Sequence, residues 1–183
     1  MRRVFPLVLL AALMTGCSGS EAAAPSAAPA VPLEQPSPTP TPTPTGPSRL
    51  GSTQETRRDD SLATVTLLRV RQPLRAVVPG LPERTGYEYI GLEVKVCVVE
   101  NTGEAITVSW APWSIEFTDD TSATPLSAWG DQWWSVPLYP QNRTMRVGAC
   151  ARGWVPFEVP KGSRPKTVVY QPGSGNALEW RVK

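Results

Sequence analysis

Three cysteines, seven tryptophans and no histidine set the chemistry open to this 183-residue chain. Without histidine, Ser-His-Asp and Cys-His arrangements are impossible and the commonest general base is missing. Asp119 and Asp120 stand in a run, Asp119-Asp120-Thr121-Ser122, that reads as a solvated loop tip and lacks the ligand spacing of a calcium loop. The sequence contains no Gly-rich phosphate loop. The chain is therefore expected not to be an enzyme, and to need neither cofactor nor metal. Cys97 and Cys150 have no CxxC neighbours, so a zinc site, which usually takes four nitrogen or sulfur ligands, is the weaker reading of them. In an exported chain a Cys97–Cys150 disulfide is the stronger one.

The aromatic residues are the one lead toward binding. Trp110, Trp113, Trp129, Trp133 and Trp134 fall within about twenty-five residues, with Tyr139 close behind. Trp110 or Trp113 suits a core, because large aromatics dominate core burial. Trp133 and Trp134 differ: adjacent residues of an extended segment point to opposite sides, so at least one belongs on the surface or under a loop. Trp129, Trp133, Trp134, Tyr139 and Arg143 are thus the candidate binding surface. With Arg143, Arg146 and Arg152 nearby they suit an interface with another cell-envelope protein, since interfaces favour aromatics and arginine. The alternative is a carbohydrate-binding module in which exposed tryptophan rings stack on sugars. A coplanar exposed row of rings would favour the glycan, and rings scattered over a mixed apolar patch the protein.

The first residues say where such a surface would work. Arg2 and Arg3 precede an apolar run, Val4 to Met14, and Met14-Thr15-Gly16 leads into Cys17. Charge, apolar run and small-residue site in that order form a secretory signal. Ending on cysteine, it resembles the lipobox of bacterial lipoproteins, although Met14 and Thr15 depart from the usual Leu and Ala. That resemblance implies cleavage after residue 16, a diacylglyceryl group on Cys17, and a domain held outside the cell membrane. Two acyl chains suffice for stable anchoring, whereas one is marginal. The alternative is an ordinary signal peptide, with Cys17 retained or removed.

Charge does not indicate a nucleic-acid partner, and none is expected. The 18 Lys and Arg include Arg2 and Arg3, and without them 16 remain against 16 Asp and Glu. Arg57-Arg58 is followed at once by Asp59-Asp60, so no basic cluster of the kind nucleic acids require stands out. Residues 17–56 read as a disordered tether rich in Ala, Pro, Ser and Thr. Ser37 to Thr45 alternates with proline, which favours extended polyproline II. At about 3.1 Å per residue, such a tether reaches on the order of 100 Å when fully extended.

Residues 57–183 read as one β domain. Leu62 to Leu74 is a first strand. Tyr87 to Glu100 is the clearest, with Ile90, Leu92, Val94, Val96 and Val98 on one parity and Tyr89, Glu93, Lys95 and Cys97 on the other. Asn101 to Glu104 is a turn. Ala105–Trp110, Trp113–Thr118, Thr124–Trp129, a long Thr144–Val159, Lys166–Gln171 and Leu178–Val182 follow as strands, with Gly130 to Pro140 irregular. Many short strands without an amphipathic helix predict an antiparallel β-sandwich. In the long late strand, Val147, Ala149, Ala151, Val155, Phe157 and Val159 share the inward parity, whereas Cys150, Arg152, Trp154 and Glu158 face outward. Two outward-facing cysteines can bond only between neighbouring strands of one sheet, so Cys97 is expected opposite Cys150 on an adjacent antiparallel strand.

The segment YEYIGLEVKVCVVENTGEAITV and the later Gly153-Trp154-Val155-Pro156-Phe157-Glu158-Val159-Pro160 resemble an immunoglobulin-like domain of unknown function found on Gram-positive, actinobacterial-type lipoproteins and secreted proteins. The family is similar in fold to a secreted mycobacterial immunogenic antigen. The resemblance covers roughly Arg57 to Lys183, implies an immunoglobulin-like sandwich and supplies no catalytic residues. Pro156 departs from the pattern and implies an edge strand or a bulge.

Overall fold

Alternating apolar residues stack two sheets face to face, as a β-sandwich, in the computed structural model, which describes residues 46–58, 60–81, 84–127, 130–173 and 175–183. The signal sequence, Cys17, the linker as far as residue 45 and Trp129 lie outside the described residues. The strands are β1 (Ser48–Arg49), β2 (Thr53–Arg58), β3 (Ser61–Arg71), β4 (Tyr87–Asn101), β5 (Ile106–Val108), β6 (Trp113–Phe117), β7 (Ser122–Ala123), β8 (Arg143–Met145), β9 (Cys150–Pro160), β10 (Pro165–Tyr170) and β11 (Leu178–Arg181). One sheet has the order β2-β3-β4-β9 and the other β1-β11-β10-β6-β7, with β5 and β8 forming a separate ribbon. All pairings are antiparallel except β1 with β11, which is parallel.

Several expected boundaries move. β1 and the first four residues of β2 fall within the expected linker, residues 17–56, so the folded domain begins before residue 57. β2, TQETRR, is an edge strand that buries only Thr56, and a polar edge carries no hydrophobic alternation to announce it. The expected strand Thr144–Val159 is two strands, β8 and β9, separated by a turn in which Gly148 has φ +80°. Val147, expected on the inward face, sits in that turn and is 55% exposed. The described part of Thr124–Trp129 is not a strand, and the return strand is β7, at residues 122–123.

Between the sheets, Val65, Leu67, Ile90, Leu92, Val94, Val96, Val155 and Phe157 meet Trp113, Ile115, Phe117, Val168, Tyr170 and Trp180. Trp113 lies against Tyr170 and Trp180, with ring centroids 4.7 and 6.0 Å apart. Trp180 donates its Nε1 hydrogen to the Ser52 carbonyl at 2.9 Å, and Trp110 donates to that of Tyr139 at 2.6 Å. These two bonds satisfy indole N–H groups that would otherwise be costly to bury.

The long alternating strands β4 and β9 run side by side from Tyr87↔Pro160 to Cys97↔Cys150. The two cysteines are bonded, with Cα atoms 4.1 Å apart. Both backbone groups of Trp154 point away from β4: its N–H donates to Pro137 O and its carbonyl accepts from the Tyr139 N–H. Trp154↔Glu93 is therefore a non-hydrogen-bonded pair, and so, four residues along, is Cys97↔Cys150. Such pairs bring the Cα atoms closest, which suits a cross-strand disulfide. The bond closes a separation of 53 residues, for which about 2–4 kcal/mol of stabilisation is typical. Pro156 shares the parity of Trp154, so its missing N–H falls on the outer edge of β9, where no ladder bond is lost.

Candidate functional site: the outer face of the four-stranded sheet

The outward parity of β4 and β9 places Tyr89, Gly91, Glu93, Lys95 and Cys97 beside Pro156, Trp154, Arg152 and Cys150 on one surface. β3 adds Arg71 opposite Gly91 and Arg69 opposite Glu93. Alternation alone predicts that this face meets solvent. Half of it does not.

Two irregular segments, residues 72–81 and 130–139, together with Leu126, cover the end of the face nearest Tyr89. Leu74, Tyr89, Trp134 and Trp154 form a second buried cluster there, with Ala76, Leu81, Leu126, Trp133, Val136 and Leu138 packed around it. Trp134 meets Tyr89 edge-on at 4.9 Å. The segments are tied to the sheet and to each other by backbone bonds: Leu74 N–H to Tyr89 O, Leu126 N–H to Pro156 O, and Val77 N–H to Trp133 O. Gly91 makes room on this face, and Gly153, on the inward parity, makes room for the backbone of Leu138 and Tyr139 along the edge of β9. A Cβ on Gly91 would lie 2.9 Å from both Leu74 and Trp154 side chains, and one on Gly153 would lie 2.4 Å from the backbone nitrogen of Tyr139. The second clash is with backbone, which cannot swing aside.

The other end of the face is open and charged. Glu93 is 4% exposed. Its carboxylate accepts from Arg69 Nε at 2.6 Å and from Arg152 Nε and Nη2 at 2.9 and 2.6 Å. Burial pushes the Glu93 carboxyl up, but the hydrogen bonds and charges of the two arginines outweigh burial and hold it below its ordinary value. Arg71 lies over the Trp154 ring at 4.8 Å, a cation–π contact.

The predicted binding residues do not form one surface. Tyr139 is 1% exposed and belongs to the main core. Burial, then Tyr170, raises its hydroxyl pKa above the ordinary tyrosine value, and Arg143 offsets this only in part. Trp134 is 6% exposed, buried against Tyr89. Trp133 is half-buried beside it, and Trp129 lies outside the described residues. Arg143 is exposed, but on the β5–β8 ribbon. The expectation of exposed rings fails for Trp134 and Tyr139 because the irregular segment threads back against the sandwich and buries both. The residues that sequence reasoning missed are Glu93, Arg69 and Arg71. The missed signal was the outward parity itself, which placed Tyr89, Trp154 and a mid-strand glycine on a supposedly bare face. Asp119 behaves as expected of a turn, its carboxylate accepting from the Thr121 hydroxyl at 2.7 Å. Among the described residues, no group of His, Cys, Asp or Glu is placed to hold a metal.

The chain is similar in structure to MPT63, a secreted protein from Mycobacterium tuberculosis, with a TM-score of 0.53 at 19% identity, covering 76% of this chain and 100% of that one. Two Bacillus subtilis proteins are more distant. The ycdA protein gives 0.48 at 18% identity over 71% of this chain and 39% of its own, and the yjhA protein 0.46 at 13% over 72% and 98%. The match therefore covers well under half of the ycdA protein. At these identities the likeness to MPT63 is one of fold, the β-sandwich. No family model matches the chain, and no curated protein does.

Glu93→Gln is expected to destabilise the domain at pH 7 by about 1–2 kcal/mol, a modest loss because the arginine side chains are about 60% exposed. A carboxyl with a lowered folded pKa stabilises above its unfolded value and loses that contribution as pH falls through the folded one. Denaturant titrations should therefore show the gap between wild type and variant closing as pH falls below 4.5, the group's ordinary value. A gap independent of pH would show that the charge of Glu93 plays no part.

Proposed function

We propose that this protein is a surface lipoprotein whose β-sandwich is a non-catalytic binding module for another cell-envelope protein. The observation that carries this reading is an apolar tip on the covering segment: Val77 is 54% and Val78 37% exposed. The tip is held in place, since Val77 donates its N–H to the Trp133 carbonyl at 2.8 Å and Leu74, three residues earlier, is buried in the second cluster. Apolar side chains on pinned backbone lose little entropy on docking. Half-buried Trp133, whose carbonyl accepts the Val77 N–H, adjoins the tip, and Arg75, two residues before Val77, is exposed beside it. The burial of Trp134 and Tyr139 removes two of the rings that a sugar-stacking row would use, which favours a protein partner over a glycan.

The proposed position is outside the membrane, carried by a diacylglyceryl group on Cys17 and set off from the bilayer by the Pro/Thr-rich tether. The secretory signal and its terminal cysteine support this reading, and among the described residues no helix is long and apolar enough to cross a membrane. Labelled fatty acid should be incorporated by the full chain and not by Cys17→Ser. Equal labelling of both would contradict lipidation at this residue.

The partner surface is tested by photo-cross-linking in intact envelopes, with the cross-linker placed at position 77 or, as a control, at Thr53 on the far edge strand. A discrete protein adduct from position 77, lost in Val78→Asp and absent from position 53, is the expected result. No adduct, together with a tryptophan fluorescence shift on adding cell-wall glycans that Trp133→Ala abolishes, would move the assignment to the carbohydrate-binding alternative.

A further inference from the structure

The open end of the outer face carries four cations on three adjacent strands: Arg71 and Arg69 on β3, Lys95 on β4 and Arg152 on β9. With strands about 4.8 Å apart and about 3.4 Å per residue along each, they span an area of roughly 10 by 13 Å. One carboxylate, Glu93, lies among them. In register terms the next acids on this face are Glu55, opposite Thr64 on the edge strand β2, and Glu158, opposite Tyr89 and paired with Arg84.

Two features separate this cluster from an ordinary solvated sheet face. Lys95 stands directly opposite Arg152, at a non-hydrogen-bonded pair, the closest cross-strand position. Like charges in that position destabilise a sheet. Among the described residues neither Lys95 nor Arg71 has an acidic partner. Glu93, moreover, holds the guanidiniums without consuming them. Arg69 uses only Nε toward it, leaving both terminal nitrogens, and Arg152 leaves one. The carboxylate is 6% exposed while the arginine side chains are 61% and 59% exposed, so the acid is underneath and the donors are on top. Arg71 is steadied from below by the Trp154 ring. The result is a preorganised set of outward-facing N–H donors with a net positive charge.

We propose that Arg69, Arg71, Lys95 and Arg152 form a binding site for a ligand bearing several phosphate groups. Guanidinium forks match phosphate oxygens in pairs, and a lysine supplies a point charge beside them. An area of this size spans two or three neighbouring phosphates of a soluble polyphosphate, or the headgroups of an anionic lipid surface. The site is separate from the apolar tip and does not rest on the protein-partner reading.

The test uses the full chain and two probes, sodium tripolyphosphate in calorimetry and vesicles of phosphatidylglycerol against phosphatidylcholine in sedimentation. Wild type should bind tripolyphosphate, more weakly as salt rises, and Arg71→Gln/Lys95→Gln, which leaves the Glu93 contacts intact, should bind about tenfold more weakly or worse. Binding only to phosphatidylglycerol vesicles, lost in the same variant, would support the site and assign lipid headgroups as the phosphate source. Binding to neither probe, or equal binding by wild type and variant, would overturn the proposal. Should the double variant lose the wild-type near-ultraviolet circular dichroism, Lys95→Glu at its exposed position carries the same comparison.

Discussion

A central strand with two buried faces is the constraint on which the rest depends. β4 sends Ile90, Leu92, Val94 and Val96 into the core between the sheets, and on the opposite parity it sends Tyr89 and Glu93 under cover as well. A slip of one residue would exchange the two sets and drive Glu93 into the apolar core, at a cost that no contact there repays. The register is pinned at one end by the Cys97–Cys150 bond and in the middle by Gly153, which alone admits the backbone of Leu138 and Tyr139. Trp154, next in sequence, points the other way and becomes the floor of the second cluster.

From that register follows the division of the outer face. Where β9 meets Leu138, the irregular segment closes over Trp154 and Tyr89, and the surface that remains is the apolar tip at Val77 and Val78. Beyond Trp154 the cover ends, and Glu93 orients arginines from the strands on either side of β4. A buried carboxylate with two arginine partners is weak evidence for stability, because desolvation opposes the attraction. Its clearer consequence is positional, since it fixes two guanidiniums that exposed arginines would otherwise leave free to rotate. One end of the face is thus apolar and the other cationic, on a single rigid sheet.

Much of this was legible in the residues. The parity of Tyr87 to Glu100 and of Val147 to Val159 gives the adjacency of β4 and β9 and the cysteine pairing, and of the two readings of Pro156, edge or bulge, the strand order shows the edge. β1 and β2 escaped because short polar edge strands have no apolar period, and the turn at Gly148 escaped because alternation continues across it. Of the covering residues only Gly130 to Pro140 reads as irregular, residues 72–74 and 126 falling in expected strands, and periodicity does not say where an irregular segment lies. Trp134 and Tyr139 were therefore assigned to the surface, although a neighbouring sheet buries both. Gly91 in the middle of an otherwise bulky strand was the available clue, since a glycine there signals close approach by something above.

Hydrogen exchange of the backbone amides of Leu74, Val77, Trp154 and Tyr139 tests most directly whether the outer face is covered as described. All four donate to carbonyls that join the covering segments to each other or to the sheet. The account predicts that they exchange slowly, with the strand amides of β4 and β9, and only through extensive opening of the domain. Exchange at the rate of unprotected loop amides would mean that the segments do not cover the sheet, and the second cluster, the pinned apolar tip and the division of the outer face would fall with them.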